Sequence, residues 1–200
     1  MTSSPSPDDA LAAALLPRLE DLLGVGWVAD EDEADDRDGG SDGGPWDDGV
    51  PDGFPEHALV AGDEVGFTLP DVAGLYAFSS VFIDRASASI AWSMVNDASF
   101  ADRFVSSIAA GAIPRDGTEL LGPVMRPVEV ADLDGASVGA RVVMFSSADD
   151  RAVRPLALRV AAISAGRVLV LVWSVDRGDH VADRRWQHVV ERTAVRVGRG

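Results

Sequence analysis

The run from Arg167 to Val175, RVLVLVWSV, constrains the fold of this chain more than any other stretch. From Val168 onward it is apolar at nearly every position, so a strand formed here carries apolar side chains on both faces. Such a strand is stable in the interior of a sheet whose two faces are both covered. The run therefore predicts a central strand with cover on each side of its sheet.

Other stretches also have the composition of strands. Ala73 to Ile83 favours a strand through its aromatic and β-branched residues. Three more strand-like runs precede the central one, at Val124 to Val130, Val138 to Phe145 and Leu156 to Ile163. The tripeptide 164–166, Ser-Ala-Gly, is short enough to join the last two strands as a hairpin.

Helical spacing of apolar residues marks both ends of the chain. Pro7 to Leu23 reads as a helix with Ser6 as its N-cap, and Pro17 should kink or split it. Asp179 is expected to cap a last helix that ends at Gly198. Its buried stripe is predicted to consist of Ala182, Trp186, Val189, Thr193 and Val197.

Two helical patterns lie in the middle of the chain. Arg85 to Asn96 fits a strand or a helix, and its Ala and Ser content leads us to prefer a helix. Phe100, Phe104 and Ile108 form the apolar stripe of a further helix that ends at Gly111.

This order of elements predicts an α+β fold, with an antiparallel sheet of about five to six strands and flanking helices that include a C-terminal helix. Residues 1–28 are expected to form an N-terminal helical segment that packs on the domain. Residues 29–56 are expected to form an acidic, Gly- and Asp-rich flexible loop, and residues 57–200 the α+β domain.

Charge and cysteine content narrow the functional classes. The net charge of −16 and the absence of Lys argue against nucleic acid as a partner. With no Cys, disulfides, thiolate metal sites and Cys nucleophiles are excluded. We expect no cofactor and no metal. We also expect no membrane span, because the longest late apolar run, Val168 to Val175, is far short of the roughly twenty residues that a span requires. As written, the chain lacks a signal peptide and reads as cytoplasmic, or as extracytoplasmic if a signal or anchor has been removed.

The stretch from Asp30 to Gly53 holds eleven acids and one Arg. An EF-hand loop would need Gly at its sixth position and Glu at its twelfth, but a loop that begins at Asp36 has Ser41 and Asp47 there. So many like charges with so few apolar residues favour a disordered loop, although weak cation binding stays open. Trp46 stands alone in this stretch, either docked or free.

Several motifs carry possible chemistry. Gly135 to Gly139, GASVG, matches the G-x-S-x-G elbow of serine hydrolases with Ser137 as nucleophile, but the residues that follow read as a strand and not as the required helix. The tripeptide 177–179, Arg-Gly-Asp, is interpreted as a turn. His57, His180 and His188 lack the spacing of a metal site, and we interpret them as surface residues. Core packing is the preferred interpretation of Trp92, Trp173, Trp186, Phe100 and Phe104.

Four stretches carry a resemblance to a known family. They are ALLPRLEDLLGVGW (14–27), FSSVFIDRASASIAW followed by DASFADRFVSSI, PVEVADLDGASVGARVVM, and ISAGRVLVLVWS. In these the chain resembles the extracytoplasmic sensor-type domain of some actinobacterial Ser/Thr kinases and related lipoproteins. The resemblance implies an antiparallel sheet with flanking helices and no catalytic centre, and it transfers no functional residue. The family's usual cysteines and anchor are absent here.

Three functional hypotheses follow from these observations. The first is a non-enzymatic ligand-binding or sensor-like module that binds an unknown small molecule or protein through a cleft or sheet face. The second is a protein-interaction factor, of chaperone or immunity type, whose acidic loop engages a basic protein. The third is a serine hydrolase that uses Ser137.

Overall fold

The computed structural model describes residues 5–30, 53–70, 73–97, 119–128, 133, 135–149, 152–177 and 183–200. Within them the helices are α1 (Pro7–Leu15), α2 (Arg85–Val95) and α3 (Asp183–Arg199), with short 3₁₀ turns at Leu19–Asp21 and Glu56–Ala58. The strands are β1 (Val28–Ala29), β2 (Leu59–Leu69), β3 (Ala73–Phe82), β4 (Glu119–Val128), β5 (Ser137–Asp149), β6 (Ala152–Ala165) and β7 (Val168–Arg177).

These strands form one antiparallel sheet in the order β1-β2-β3-β7-β6-β5-β4. Six of the described strands are long, and β1 adds only two residues at one edge. The predicted α+β class, with an antiparallel sheet and flanking helices that include a C-terminal one, is therefore confirmed. The central position predicted for the apolar run is also confirmed, because β7 pairs with β3 on one side and β6 on the other.

The two faces of the sheet are covered by different helices. On one face, α1 and α3 build a core with residues such as Leu15, Val170 and Trp186. On the opposite face, α2 packs through its small side chains against Phe82 and Leu171. Among the described residues, no helix is both long and apolar enough to cross a membrane.

The bounds of α1 follow from local chemistry. Ser6 Oγ accepts a hydrogen bond from the Asp9 backbone N–H at 3.1 Å, and the Asp9 carboxylate accepts one from the Ser6 N–H at 2.9 Å. This reciprocal capping box begins the helix. The helix ends at Leu15 because Pro17 pushes the residue before it, Leu16, into an extended conformation. The predicted split at Pro17 is thus confirmed.

The structure corrects some predicted bounds. The region 85–96 is a helix, as preferred, but β2 was missed because LVAGDEVGFTL interrupts its apolar alternation with two glycines and two acids. Strands β4 to β7 all extend beyond the predicted runs. The stripe of Phe100, Phe104 and Ile108 lies outside the described residues, as do Asp179 and Ala182 at the start of the last predicted helix.

A buried carboxylate joins the N-terminal segment to α3. Asp21 is 2% exposed, and its Oδ2 accepts hydrogen bonds from the Arg18 backbone N–H at 2.8 Å and from Arg196 Nη1 at 2.9 Å. Arg192 Nε lies 3.5 Å from its Oδ1. Burial alone would raise the pKa of Asp21. The hydrogen bonds and the positive charges of the arginines outweigh this effect, so the pKa of Asp21 is lowered overall from its ordinary value of 3.8.

We predict that Asp21→Asn lowers the free energy of unfolding by about 2–3 kcal/mol at neutral pH, because the arginines lose a buried counter-charge. The pKa of Asp21 is lower in the folded protein than its value of about 3.8 in the unfolded chain. The carboxylate therefore contributes its full stabilisation above about pH 3.8, and this stabilisation is lost as the pH falls through the folded-state pKa. Urea unfolding of the wild-type protein and of Asp21→Asn from pH 7 to pH 2.5 measures the difference in their free energies of unfolding. We expect this difference to become smaller only at the acid end of the range.

The neighbouring Glu20 provides the control for this prediction. Its carboxylate is 71% exposed and pairs with Arg18 at 3.7 Å. A surface pair of this kind contributes about 0–1 kcal/mol, so Glu20→Gln should leave the unfolding midpoint nearly unchanged. Equal costs for the two substitutions, or a difference that does not depend on pH, would show that the Asp21 contact is not the ionic link described here.

Candidate functional site

An aromatic surface lies on the sheet face that α2 shares. Tyr76 and Phe78 project from β3 to the same side as Phe82, because side chains alternate along a strand. Trp173 of β7 is the register partner of Tyr76, and their rings stack with centroids 5.9 Å apart and planes at 23°. Unlike Phe82, which is buried against α2, these three rings are only half-buried.

Glycines in β2 and β3 make room for these rings. A side chain on Gly66 would lie 3.2 Å from Tyr76 Cδ1, and one on Gly74 would lie 2.7 Å from Tyr76 Cε2. Gly62 stands in the same relation to Phe78, at 3.2 Å from Cζ. The aromatic rings therefore pack closely over the glycine backbone, and a side chain at Gly74 would require the Tyr76 ring to move.

Carboxylates border the same surface. Asp30 follows β1, its backbone N–H donates to the Gly66 carbonyl at 3.0 Å, and its Oδ2 accepts a hydrogen bond from Thr68 Oγ1 at 2.9 Å. A Cβ atom on Gly66 would lie 3.2 Å from this oxygen and 3.2 Å from Tyr76 Cδ1, so the carboxylate and the ring border the same small space. Glu64 is the cross-strand partner of Phe78, so its side chain stands on the same face.

The arrangement has a definite chemical preference. Aromatic ring faces carry negative electrostatic potential and attract cations, and nearby carboxylates strengthen that attraction. We name Asp30, Glu64, Tyr76, Phe78 and Trp173 the aromatic–acidic face. It is suited to an ammonium or guanidinium group that is partly withdrawn from water.

Ser137 does not lie in the geometry that an elbow nucleophile requires. It is the first residue of β5, it is exposed, and it pairs with Ser164 of β6. A hydrolase elbow needs a strand that ends in a tight turn and opens a helix, whereas here a turn opens a strand.

Both glycines of the GASVG motif have structural roles. Gly135 has a φ of +91°, which strains other residues, and it lies in the turn closed by the bridge between Leu133 and Ala136. Gly139 lies beneath the end of α2, where an added Cβ would be 3.0 Å from Asn96 Cγ and closer still to its Oδ1. Backbone conformation and helix packing therefore explain the pattern.

The remaining predicted residues do not come together. His57 is exposed on a 3₁₀ turn, and His188 is half-buried on α3. His180 lies outside the described residues, as do Gly178 and Asp179 of the Arg-Gly-Asp tripeptide. Trp46 and the acidic positions 31–52 also lie outside them. Within the described ranges, no group of three or more His, Asp or Glu side chains has the arrangement of a metal site.

The prediction of core packing is confirmed for the described tryptophans to which it applied. Trp186 is buried in the core, and Trp92 and Trp173 are half-buried and pack against the core beneath α2, while Phe100 and Phe104 lie outside the described residues. Sequence reasoning missed the aromatic–acidic face because its members come from β2, β3, β7 and the residue that follows β1. The signal that could have revealed it is the coincidence of glycines in β2 with aromatic residues in the next strand.

Comparison of the chain with family models, curated proteins and solved structures found no match. The resemblance to a sensor-type domain therefore stays a prediction.

We predict that Gly139→Ala destabilises the protein by about 1–3 kcal/mol, because the added methyl group displaces the Asn96 side chain and the end of α2. Urea unfolding provides the measurement. In an Asn96→Ala background the same substitution should cost less, since the clashing amide is gone. An undiminished cost in that background would contradict the proposed contact.

A second prediction concerns Ser137. The chain should stay unlabelled when treated with a fluorophosphonate probe, because its serine begins a strand and is not placed at an elbow. Mass spectrometry of the intact protein would reveal any adduct. Labelling that disappears in Ser137→Ala would instead support the hydrolase hypothesis.

Proposed function

We propose that this chain is a non-enzymatic, sensor-like binding module whose ligand carries a positively charged organic group. The observation that carries the proposal is the stacked, half-buried Tyr76 and Trp173 pair with the Asp30 carboxylate beside it. Trp173 also packs against the core beneath α2, but all three rings of the face leave part of their surface exposed to a partner.

Electrostatics favours the same class of ligand. The chain carries a net charge of −16, and a field of that sign raises the local concentration of cations and steers them toward the surface. The carboxylates of Asp30 and Glu64 then supply a short-range contact. Together these features disfavour an anionic ligand on this face.

The alternative of a protein-interaction factor uses the same chemistry from another source. A Lys or Arg side chain of a basic protein offers the cationic group that the aromatic–acidic face would accept. A free organic cation needs only this face, whereas a basic protein would also use the acidic surroundings. Small cations and basic peptides are therefore separate arms of one experiment.

The full-length protein is titrated with choline, tetramethylammonium, L-arginine amide and a short poly-arginine peptide, and binding is followed by calorimetry and tryptophan fluorescence. We expect saturable binding of at least one cation. Trp173→Leu and Asp30→Asn should each weaken it by about 1–2 kcal/mol, the range of a partly desolvated cation–π or charged contact. The uncharged analogue of choline, with carbon in place of nitrogen, should not bind.

Trp27 provides a matched control. It is also a half-buried tryptophan, but it packs against the core on the opposite face of the sheet. Trp27→Leu should therefore change the fluorescence spectrum and leave cation affinity unchanged. Equal binding of the uncharged analogue, or the absence of binding by every cation to a folded protein, would refute the proposal.

A further inference from the structure

A second surface has the opposite character. The segment between α1 and β1 exposes Leu19, Leu23 and Val25, and Val25 is 95% exposed. Leu22, between them, is buried in the core. Apolar side chains in such a short segment form a patch that is typical of interaction sites.

The patch is held in place from beneath. Asp21, between Leu19 and Leu23, is buried and bonded to Arg196 of α3. Gly24 and Gly26 have φ values of +118° and +97°, a backbone conformation that favours glycine, so the chain bends around Val25. The exposed residues are thus carried on a segment that is anchored to the fold.

Arginines of α3 border this patch. A Cβ atom added to Gly24 would lie 3.4 Å from Arg185 Nη1, so this guanidinium group is next to the segment. Arg192, which pairs with Asp21, has a side chain that is 59% exposed. Five of the seventeen basic residues of the chain lie on this one helix, namely Arg184, Arg185, Arg192, Arg196 and Arg199. Asp183 and Glu191 are the only acids on the helix, so its net charge is positive, although Asp21 offsets part of the charge of Arg192 and Arg196 and leaves Arg185 as the nearest arginine not paired with it.

We infer that Leu19, Leu23, Val25, Arg185 and Arg192 form a docking surface for an acidic protein segment that carries apolar side chains. Apolar residues of the partner would cover the leucines and Val25, and its carboxylates would meet the guanidinium groups of α3. This surface is independent of the aromatic–acidic face and prefers the opposite charge.

Other occupants fit the observations less well. An anionic membrane would extend over the whole molecule and meet its charge of −16, whereas a short segment meets only the charges within about 8 Å, the screening length at physiological salt. A second copy would offer its own acidic stretch, but residues 31–52 contain only Ala34, Trp46 and Val50 as apolar residues. A basic partner would be repelled by the arginines.

Fluorescence anisotropy with the full-length protein tests the inference. The probes are a short labelled peptide of Glu, Leu and Phe, a version with Lys in place of Glu, and a version with Ser in place of Leu and Phe. Only the first should bind, and added salt should weaken it. Val25→Asp and Arg185→Glu should each reduce its affinity at least about tenfold, as expected for central contacts of an interface.

Matched controls come from α2. Ile90 is an exposed apolar residue and Arg85 an exposed cation, both on the opposite face of the sheet. Ile90→Asp and Arg85→Glu should leave the affinity unchanged, and circular dichroism should show every variant to be folded.

Three results would overturn the inference. The first is equal binding of the Lys peptide, or an affinity for the Glu peptide that survives both surface substitutions. The second is binding to vesicles that contain phosphatidylserine without binding to the Glu peptide. The third is self-association in sedimentation velocity that Val25→Asp abolishes, which would assign the surface to a second copy of the chain.

Discussion

The burial of both faces of β7 is the constraint on which the rest of the structure depends. Val170 and Val172 point to the core of α1 and α3, and Leu171 points to α2. The helices are of unequal length, however. The eleven residues of α2 span about 16 Å, while the ten residues of β7 span about 33 Å, so α2 is about half as long as the central strand. Trp173 packs against the core beneath α2 and stacks on Tyr76, so the aromatic–acidic face adjoins that core.

A buried charge pair adds specificity to this packing. Arg159 of β6 and Asp176 of β7 are almost fully buried on the face of α1 and α3, with Nη1 3.6 Å from Oδ2. Burial of two charges is costly, and the pair offsets that cost only in one register of the two strands. A slip of one residue would turn either charge into the opposite, apolar core. The tight turn between Ala165 and Val168 also fixes the register of β6 and β7, and the ion pair favours the same register.

The sequence predicted those parts of the fold that depend on local pattern. Ser6, Pro17 and the run at β7 act within a few residues of themselves, and the helix or strand at each was assigned correctly. By contrast, β2 and the aromatic–acidic face depend on contacts across strands. Gly62 and Gly66 weaken the strand pattern when read alone, yet they are where the rings of the next strand pack. Such pairs become visible only when the register is known.

The same distinction explains how one acidic chain can present two surfaces of opposite preference. The net charge of −16 favours the approach of cations, but mobile ions weaken interactions between charges more than about 8 Å apart. The charge preference of each surface is therefore set mainly by the charged side chains within that distance. Asp30 and Glu64 border the rings of β3 and β7, while Arg185 and Arg192 border the apolar residues before β1. Because the sheet separates Tyr76 from α3, each surface can bind its partner without the charges of the other.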